Sequence, residues 1–368
     1  MGSEHPVGAE RSVGSGRFAQ RLGWYCAERD EARVSMLPAG KALAFAAEGE
    51  RRCLGVWRAG RWIVCPYAAV IDGASAKDQC ARCAQLDRSR SVAADTMADD
   101  PRPYGVYLAY FGPGLLKVGI TAAERGPARL VEQGAVAYAW LGRGPLMAAR
   151  RAEALLGSAL AVPDRFGKAV KRAARGALPA WSERVAELAE LHARARALAG
   201  WPETLEPVEF VATDHTELFG LDRVPTGAVE LGGLTAGAEV VGEVLAGVGP
   251  DLYLRLAGAA GEREGAREEA ADSGAWGASG GSGAGGDLGA SMASGGGGGS
   301  GASMASGVSR TSGGGGVVAV LDARVLSGWV LGPAAGRMTT VAVRAAAYGT
   351  GAAGAGGREG DGLQGGLF

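Results

Sequence analysis

Apolar positions along this chain change their period several times, and each change marks an element. Two apolar runs, Tyr104-Gly105-Val106-Tyr107-Leu108-Ala109-Tyr110 and Leu116-Lys117-Val118-Gly119-Ile120-Thr121, flank a Phe-Gly-Pro-Gly turn. Aromatic and β-branched residues on both sides of a Gly/Pro cluster predict a β-hairpin. With the turn centred near Pro113, Tyr107 falls opposite Gly119 and Ala109 opposite Lys117. Side-chain alternation then gives Tyr107, Lys117 and Thr121 one face. The assignment depends on register, because a one-residue slip turns every side chain over. A helix is predicted from Glu124 to Gln133, stopping at Gly134, and a second from Pro145 through Glu153 to about Ala161. Between Pro179 and Gly200, Val185, Leu188, Leu191, His192, Ala195 and Leu198 recur at helical spacing. His192 lies in this apolar stripe and reads as a packed histidine. His215 falls in the polar loop Thr213-Asp214-His215-Thr216-Glu217, and a lone loop histidine makes a weak site.

Outside this middle part the pattern favours strands. Between residues 18 and 70, Ala42–Ala47 and Trp62-Ile63-Val64 alternate with turns and suggest short strands. Val240–Val248, Leu252–Leu256, Val317–Leu321 and Val325–Leu331 suggest a small C-terminal β-unit. The halves of that unit are separated by residues 258–315, where Gly-Ala-Ser-Met-Ala-Ser-Gly occurs at 289–295 and again at 301–307. Such sequence buries too little apolar surface to offset its ordering entropy. The expected layout is a disordered lead (1–16), a β-rich region (17–100), an α/β core (101–200) and a C-terminal β-unit (201–257 plus 316–345). The Gly/Ser-rich insert (258–315) and the tail (346–368) are expected to be disordered. The fold class is α+β.

Composition adds bounds to this picture. The chain has 368 residues, 47% of them hydrophobic, so two or three domains with real cores are possible despite 64 glycines. No run approaches the roughly 18 apolar residues of a membrane span, and Met1–Gly16 lacks an apolar signal core. The expectation is a cytoplasmic protein with no membrane contact. The net charge of −1 is uneven: residues 101–200 hold 15 Lys/Arg against 7 Asp/Glu, while 201–368 hold 9 against 19. A basic middle hints at a polyanion such as DNA or RNA, although 33 Arg against 5 Lys also signals a composition bias. Arg165, Lys168, Lys171, Arg172 and Arg175 are spaced to put most of their charge on one helical face. That face could track phosphates or simply be solvated.

Five cysteines occur. Cys80 and Cys83 form a C-x2-C knuckle, and Cys53 and Cys65 can complete a tetrahedral set. Four thiolates would close the shell of a zinc ion, which makes such a site structural. The alternatives are a disulfide, which a reducing compartment disfavours, and a redox C-x-x-C, which lacks a strand–helix unit of thioredoxin type here. Cys26 stands apart as a free thiol.

Tyr107, Lys117, Arg129 and Glu153 together offer a phenol, an amine, a guanidinium and a carboxylate. That set suits phosphodiester cleavage: the carboxylate holds a divalent metal, a cation steadies charge on phosphate, and phenol or amine handles a proton. Read without further context, Tyr107 is a half-buried strand residue, and Glu153 forms a surface ion pair within Arg150-Arg151-Ala152-Glu153. The arrangement resembles the GIY-YIG nuclease pattern over roughly residues 103–160. Gly105-Val106-Tyr107 stands for the first triplet, Lys117-Val118-Gly119 for the second, Arg129 for the catalytic Arg and Glu153 for the metal-binding Glu. Lys117 replaces the usual Tyr, as in some branches of that superfamily; the Asn that often follows the Glu is absent, and Arg125 competes with Arg129. The resemblance implies a magnesium- or manganese-dependent nuclease with a GIY-YIG-like core. Over residues 40 to 340 the chain also resembles the prokaryotic domain-of-unknown-function family 2797, through Arg52-Cys53-Leu54-Gly55, Cys65-Pro66, Gln79-Cys80-Ala81-Arg82-Cys83, Lys117-Val118-Gly119-Ile120-Thr121 and Glu132-Gln133-Gly134-Ala135. That family implies no activity. Three functions follow for testing: a nuclease, a non-catalytic zinc-stabilised nucleic-acid-binding module, and a structural or interaction protein. Oligomeric state is not encoded in any of these patterns.

Overall fold

The computed structural model describes residues 20–26, 31–58, 61–87, 100–257 and 316–345. The expected lead, insert and tail lie outside the described residues. The N-terminal part contributes β1 (Arg21–Cys26), β2 (Glu31–Met36), β3 (Ala42–Glu48), β4 (Val56–Arg58), β5 (Arg61–Ile63) and α1 (Ala81–Leu86). The middle contributes β6 (Tyr104–Tyr110), β7 (Leu116–Ala122), α2 (Ala128–Gln133), β8 (Ala137–Gly144), α3 (Leu146–Leu160), α4 (Lys168–Arg175) and α5 (Trp181–Arg196). Then follow β9 (Glu206–Pro207), β10 (Thr213–Asp214), α6 (Thr216–Phe219), β11 (Val229–Leu231), β12 (Glu239–Val248), β13 (Asp251–Leu256), β14 (Val318–Asp322), β15 (Val330–Gly332) and β16 (Val343–Arg344). The result is a mixed α+β protein with several sheets and few helices.

One five-stranded sheet runs β10-β8-β6-β7, with β9 also on β8. Its central strand, β6, is buried at all seven positions, which is why its sequence is a nearly continuous apolar run rather than an alternating one. The register of β6 on β7 is the expected one, Tyr107 opposite Gly119 and Ala109 opposite Lys117. β8 was not foreseen, yet Tyr138 and Trp140 carry the period-two signal. The helix expected over 124–133 is divided into a 3-10 turn at Ala123–Arg125 and α2. Gly126, at φ 49°, and Pro127 interrupt it. Gly134 then ends α2 in the left-handed region. α3 packs on β6 and β7, and α5 on β6 and β8.

The second sheet corrects the expected layout. It has seven strands in the order β15-β3-β12-β13-β14-β11-β16. β3 pairs with β12, Phe45 opposite Val240, so an N-terminal strand lies inside what was expected to be a separate C-terminal unit. Strand alternation shows that β3 has a face to bury; it says nothing about a partner nearly 200 residues away. β13 and β14, on either side of residues 258–315, are antiparallel neighbours. The strand expected at 325–331 begins inside a 3-10 turn, Ala323–Leu326, at whose start the Asp322 side chain accepts a hydrogen bond from the Arg324 N–H. Strand geometry returns only in β15.

Both sheets share one apolar core. Val106, Leu108 and Tyr110 of the first sheet join Leu156 and Leu188 of the helices and Leu245, Val248, Tyr253 and Val320 of the second. The opposite face of the seven-stranded sheet packs Phe45, Val240, Leu254 and Leu321 with Leu326 and Trp329. A buried charge cluster crosses the junction. Asp251 and Asp322 lie directly opposite on β13 and β14, a repulsive arrangement for like charges. Arg172 and Arg175 of α4 neutralise it: each approaches a different Asp251 oxygen at 2.5 Å, and Arg172 also reaches Glu230 at 2.7 Å. The basic face expected on α4 is therefore corrected. Arg172 and Arg175 are 4% and 3% exposed and face inward, because the carboxylates that claim them lie far away in sequence. Arg51 makes a comparable link elsewhere. Its buried guanidinium donates to the carbonyls of Ser327, Asp72, Ser75 and Arg324, tying the cysteine-bearing segment to the large sheet.

Burial alone would raise the Asp251 carboxyl, but the guanidiniums of Arg175 and Arg172 outweigh it and hold the group below its ordinary range. Its contribution to stability is thus present above the unfolded carboxylate range, near pH 4, and is lost as pH falls through the depressed folded value. Asp251→Ala leaves the buried Arg175 guanidinium without its carboxylate and Arg172 with Glu230 alone at close range, and is expected to cost about 3–5 kcal/mol in urea unfolding at pH 7. A loss below 1 kcal/mol would show that water, not Asp251, satisfies Arg172 and Arg175 (about 0–1 kcal/mol is the range of an exposed pair).

Candidate functional site

The hairpin β6–β7 brings the first two expected residues together. Gly119 is the reason they fit: a Cβ there would overlap the Tyr107 phenol. With that space free, the ring lies across β7, and the Lys117 ammonium sits 5.9 Å from its centroid. Trp140 of β8 meets the same ring edge-on at 6.0 Å. Gln133, the last residue of α2, donates from Nε2 to the Tyr107 hydroxyl at 3.2 Å. Lys117 donates to the Asp164 carbonyl at 3.0 Å.

Arg129 and Glu153 come from α2 and α3. Arg129 has one loose ion pair, 3.7 Å to Glu132. Arg125, its competitor, is committed to both Glu132 oxygens at 2.8 Å, so Arg129 is the freer guanidinium. Glu153 is half-buried on α3.

Electrostatics tie the four groups to one another. Burial, with Arg129 adding to it and Asp164 and Glu153 opposing it, lowers the Lys117 amine to about 8. Burial raises the Tyr107 phenol, with Gln133 and Arg129 pulling the other way and Glu153 adding to the rise. Burial also raises the Glu153 carboxyl, helped by Asp164 and opposed by Lys117. Arg129 and Glu153 thus act on both the Tyr107 phenol and the Lys117 amine, and Lys117 acts on Glu153. Tyr107, however, is 1% exposed, so its hydroxyl faces Gln133 rather than solvent. Gln133 and Asp164 were not singled out for the site. Gln133 does lie in the Glu132-Gln133-Gly134-Ala135 run, and Asp164 enters only through its main chain and charge.

The expected basic stripe is dispersed. Arg165 is exposed and pairs with Asp164 at 3.3 Å. Lys168 is exposed and lies 3.7 Å from Asp322. Lys171 donates to the Gln133 carbonyl at 3.2 Å and covers the Phe111 ring at 4.7 Å, while Arg172 and Arg175 are inside. His192 and His215 are occupied by the main-chain carbonyls of Trp140 and Ala135 at 3.2 and 2.9 Å.

The cysteines form a second cluster. The Sγ atoms of Cys53, Cys65, Cys80 and Cys83 all lie within 4.8 Å of one another. A tetrahedral ion with metal–sulfur bonds of about 2.3 Å needs sulfurs roughly 3.8 Å apart, and Cys65 and Cys80 are at 4.0 Å. The set fits a metal ion such as zinc. Gly55, at φ 110°, lets the segment after Cys53 lie against the one carrying Cys65, because a Cβ there would run into the Ile63 carbonyl and the Cys65 N–H. The Cys80 N–H points to Cys53 Sγ at 3.2 Å, a contact that orients a thiolate ligand. Among the described residues this is the one group of three or more His, Cys, Asp or Glu close enough to share an ion. The Cys26 side chain lies outside the described residues. No helix among them is long and apolar enough to cross a membrane.

The profile of a family described as protein of unknown function (DUF2797) matches residues 40–259, more than half of the chain, and the protein belongs to that family. Searches among curated proteins and among solved structures return no match.

Four clustered thiols leave no open position, so about one metal ion per chain is expected in elemental analysis of the purified protein. Cys83→Ser should release it and lower the melting temperature. A metal-free wild type that melts at the same temperature before and after chelation would contradict the assignment.

Proposed function

We propose that this protein is a nuclease-like enzyme acting on nucleic-acid phosphodiesters, with a GIY-YIG-type constellation on the β6–β7 hairpin and a structural zinc ion on the four cysteines. One observation carries the reading: Lys117 lies on the Tyr107 ring and is influenced by both Arg129 and Glu153. Magnesium or manganese, which commonly binds through one or two carboxylates together with substrate phosphate, would supply Lewis acidity at the Glu153 carboxylate. The protein's own groups then divide the work. Arg129, with a single loose partner, holds the non-bridging oxygens as charge builds on them. The Lys117 amine, lowered to about 8, is near the range where a proton acceptor works best. It takes the proton from the attacking water as the new P–O bond forms, and the ester oxygen leaves with a proton from solvent. Tyr107, buried and held by Gln133, positions Lys117 through its ring face.

A second reading is a non-catalytic nucleic-acid-binding module. It is favoured by the same burial of Tyr107 and by the tether of Lys117 to the Asp164 carbonyl, which together remove two proton carriers from solvent.

Labelled duplex, branched and single-stranded DNA and RNA, incubated with magnesium or manganese, separate the two. The nuclease reading expects cutting that slows by about 100-fold or more in Glu153→Ala, the scale of losing one electrostatic stabiliser. Equal rates in wild type and mutant would remove Glu153 from the site. Salt-sensitive binding without cutting would select the module.

A further inference from the structure

A cleft of about 360 Å³ opens where α2, the start of β1 and the large sheet meet, and Arg129 lines it together with Arg21, Arg324, Gln20, Glu132 and Gly249. Three guanidiniums against one carboxylate would be unstable if none had partners, so the charges need to be followed one by one. Arg324 is taken up by Asp322, at 2.7 and 2.8 Å. Glu132 is taken up by Arg125, which grips both of its oxygens. Two cations remain. Arg129 has only its 3.7 Å contact, and the Arg21 Nε is shielded from solvent with no hydrogen-bond partner among the described residues. No carboxylate among the described residues pairs with the Arg21 guanidinium, and an oxyanion in the cleft would supply the missing counter-charge. The cleft wall is built rather than incidental. Gln20 donates from Nε2 to the Gly249 carbonyl at 3.2 Å, while its own carbonyl accepts from the Leu37 N–H at 2.8 Å. This fixes the residue beside Arg21 against the β12–β13 turn.

We infer that this cleft is a phosphate subsite for the same nucleic-acid strand, in which Arg21 holds a backbone phosphate next to the one at Arg129. The inference rests on the nucleic-acid reading above, and Arg129 is what makes the two places continuous: it lines the cleft and also acts on Tyr107 and Lys117. A strand held at Arg21 would deliver its next phosphodiester to Arg129 and the hairpin. Mononucleotides carry the same phosphate chemistry, so the experiment includes them.

The test is fluorescence anisotropy with a labelled single-stranded oligonucleotide, without added divalent metal, across a salt series, for the full-length wild type, Arg21→Gln and Arg21→Lys. Each neutralised phosphate contributes about 0.7 to the slope of log K against log salt for a single strand. Arg21→Gln should flatten the slope by roughly that amount and weaken binding several-fold, and Arg21→Lys should keep most of the slope. A melting curve of Arg21→Gln unchanged from wild type assigns the loss to the cleft; if that variant is unfolded, Arg21→Lys decides through its affinity, which is expected to fall several-fold at an unchanged slope because an ammonium lacks the guanidinium's fork, while wild-type affinity would overturn the inference. Wild-type slopes and affinities in Arg21→Gln would overturn the inference. So would a failure of wild type to bind, or an affinity for AMP equal to that for the oligonucleotide. Cleavage that depends on Glu153 but binding that ignores Arg21 would retire the cleft alone. Binding that depends on Arg21 with no cleavage would retire the nuclease reading alone.

Discussion

A side chain at position 119 would occupy the space the Tyr107 phenol fills, and much of the candidate site follows from that exclusion. The ring lies flat across β7 because Gly119 is there, and the Lys117 stem runs beside it because side chains two apart share a face. Gln133 caps the hydroxyl from the end of α2, which Gly134 stops at that point. The register is therefore fixed twice, by the turn around Pro113 and by the fit of Tyr107 on Gly119. A slip of one residue would break both and set Tyr107 opposite Val118 or Ile120 in place of Gly119.

That hairpin does not stand alone. β6 is central in its sheet, and its apolar side chains continue into a core shared with β12, β13 and β14. The junction between the sheets is partly ionic. Two carboxylates face each other on neighbouring strands, and α4 supplies the guanidiniums that make the arrangement tolerable. α4 directly follows the segment whose Asp164 carbonyl holds Lys117, so the ionic junction anchors the chain next to the candidate site. The cysteine cluster is connected by other means, through Arg51 and its four carbonyl acceptors.

Local features of this architecture were legible in the sequence. The turn residues gave the hairpin and its register, Gly134 and Pro145 gave helix ends, and the C-x2-C spacing with Cys53 and Cys65 gave a cluster that the fold does assemble. What escaped was information that no local window carries. The pairing of β3 with β12 joins residues about 200 positions apart, and alternation marks a buried face without naming its partner. Arg172 and Arg175 looked like surface charge because helical spacing reports which residues share a face but not what covers it. Their acceptor, Asp251, lies 79 and 76 residues away. The burial of Tyr107 was hidden for the same reason: Trp140 and Gln133, which enclose it, come from elements read separately or not at all.

The claim on which the functional account turns is that Lys117, Arg129 and Glu153 occupy one electrostatic site. The most direct measurement is the titration of the Lys117 amine, followed by NMR of reductively ¹³C-methylated protein with Lys117→Arg to assign the signal. The account predicts an inflection near pH 8. It should move lower in Glu153→Gln, where a favourable carboxylate is gone, and higher in Arg129→Gln, where a repelling cation is gone. An inflection at the ordinary lysine value of about 10.4, indifferent to both substitutions, would mean that these residues do not share a site.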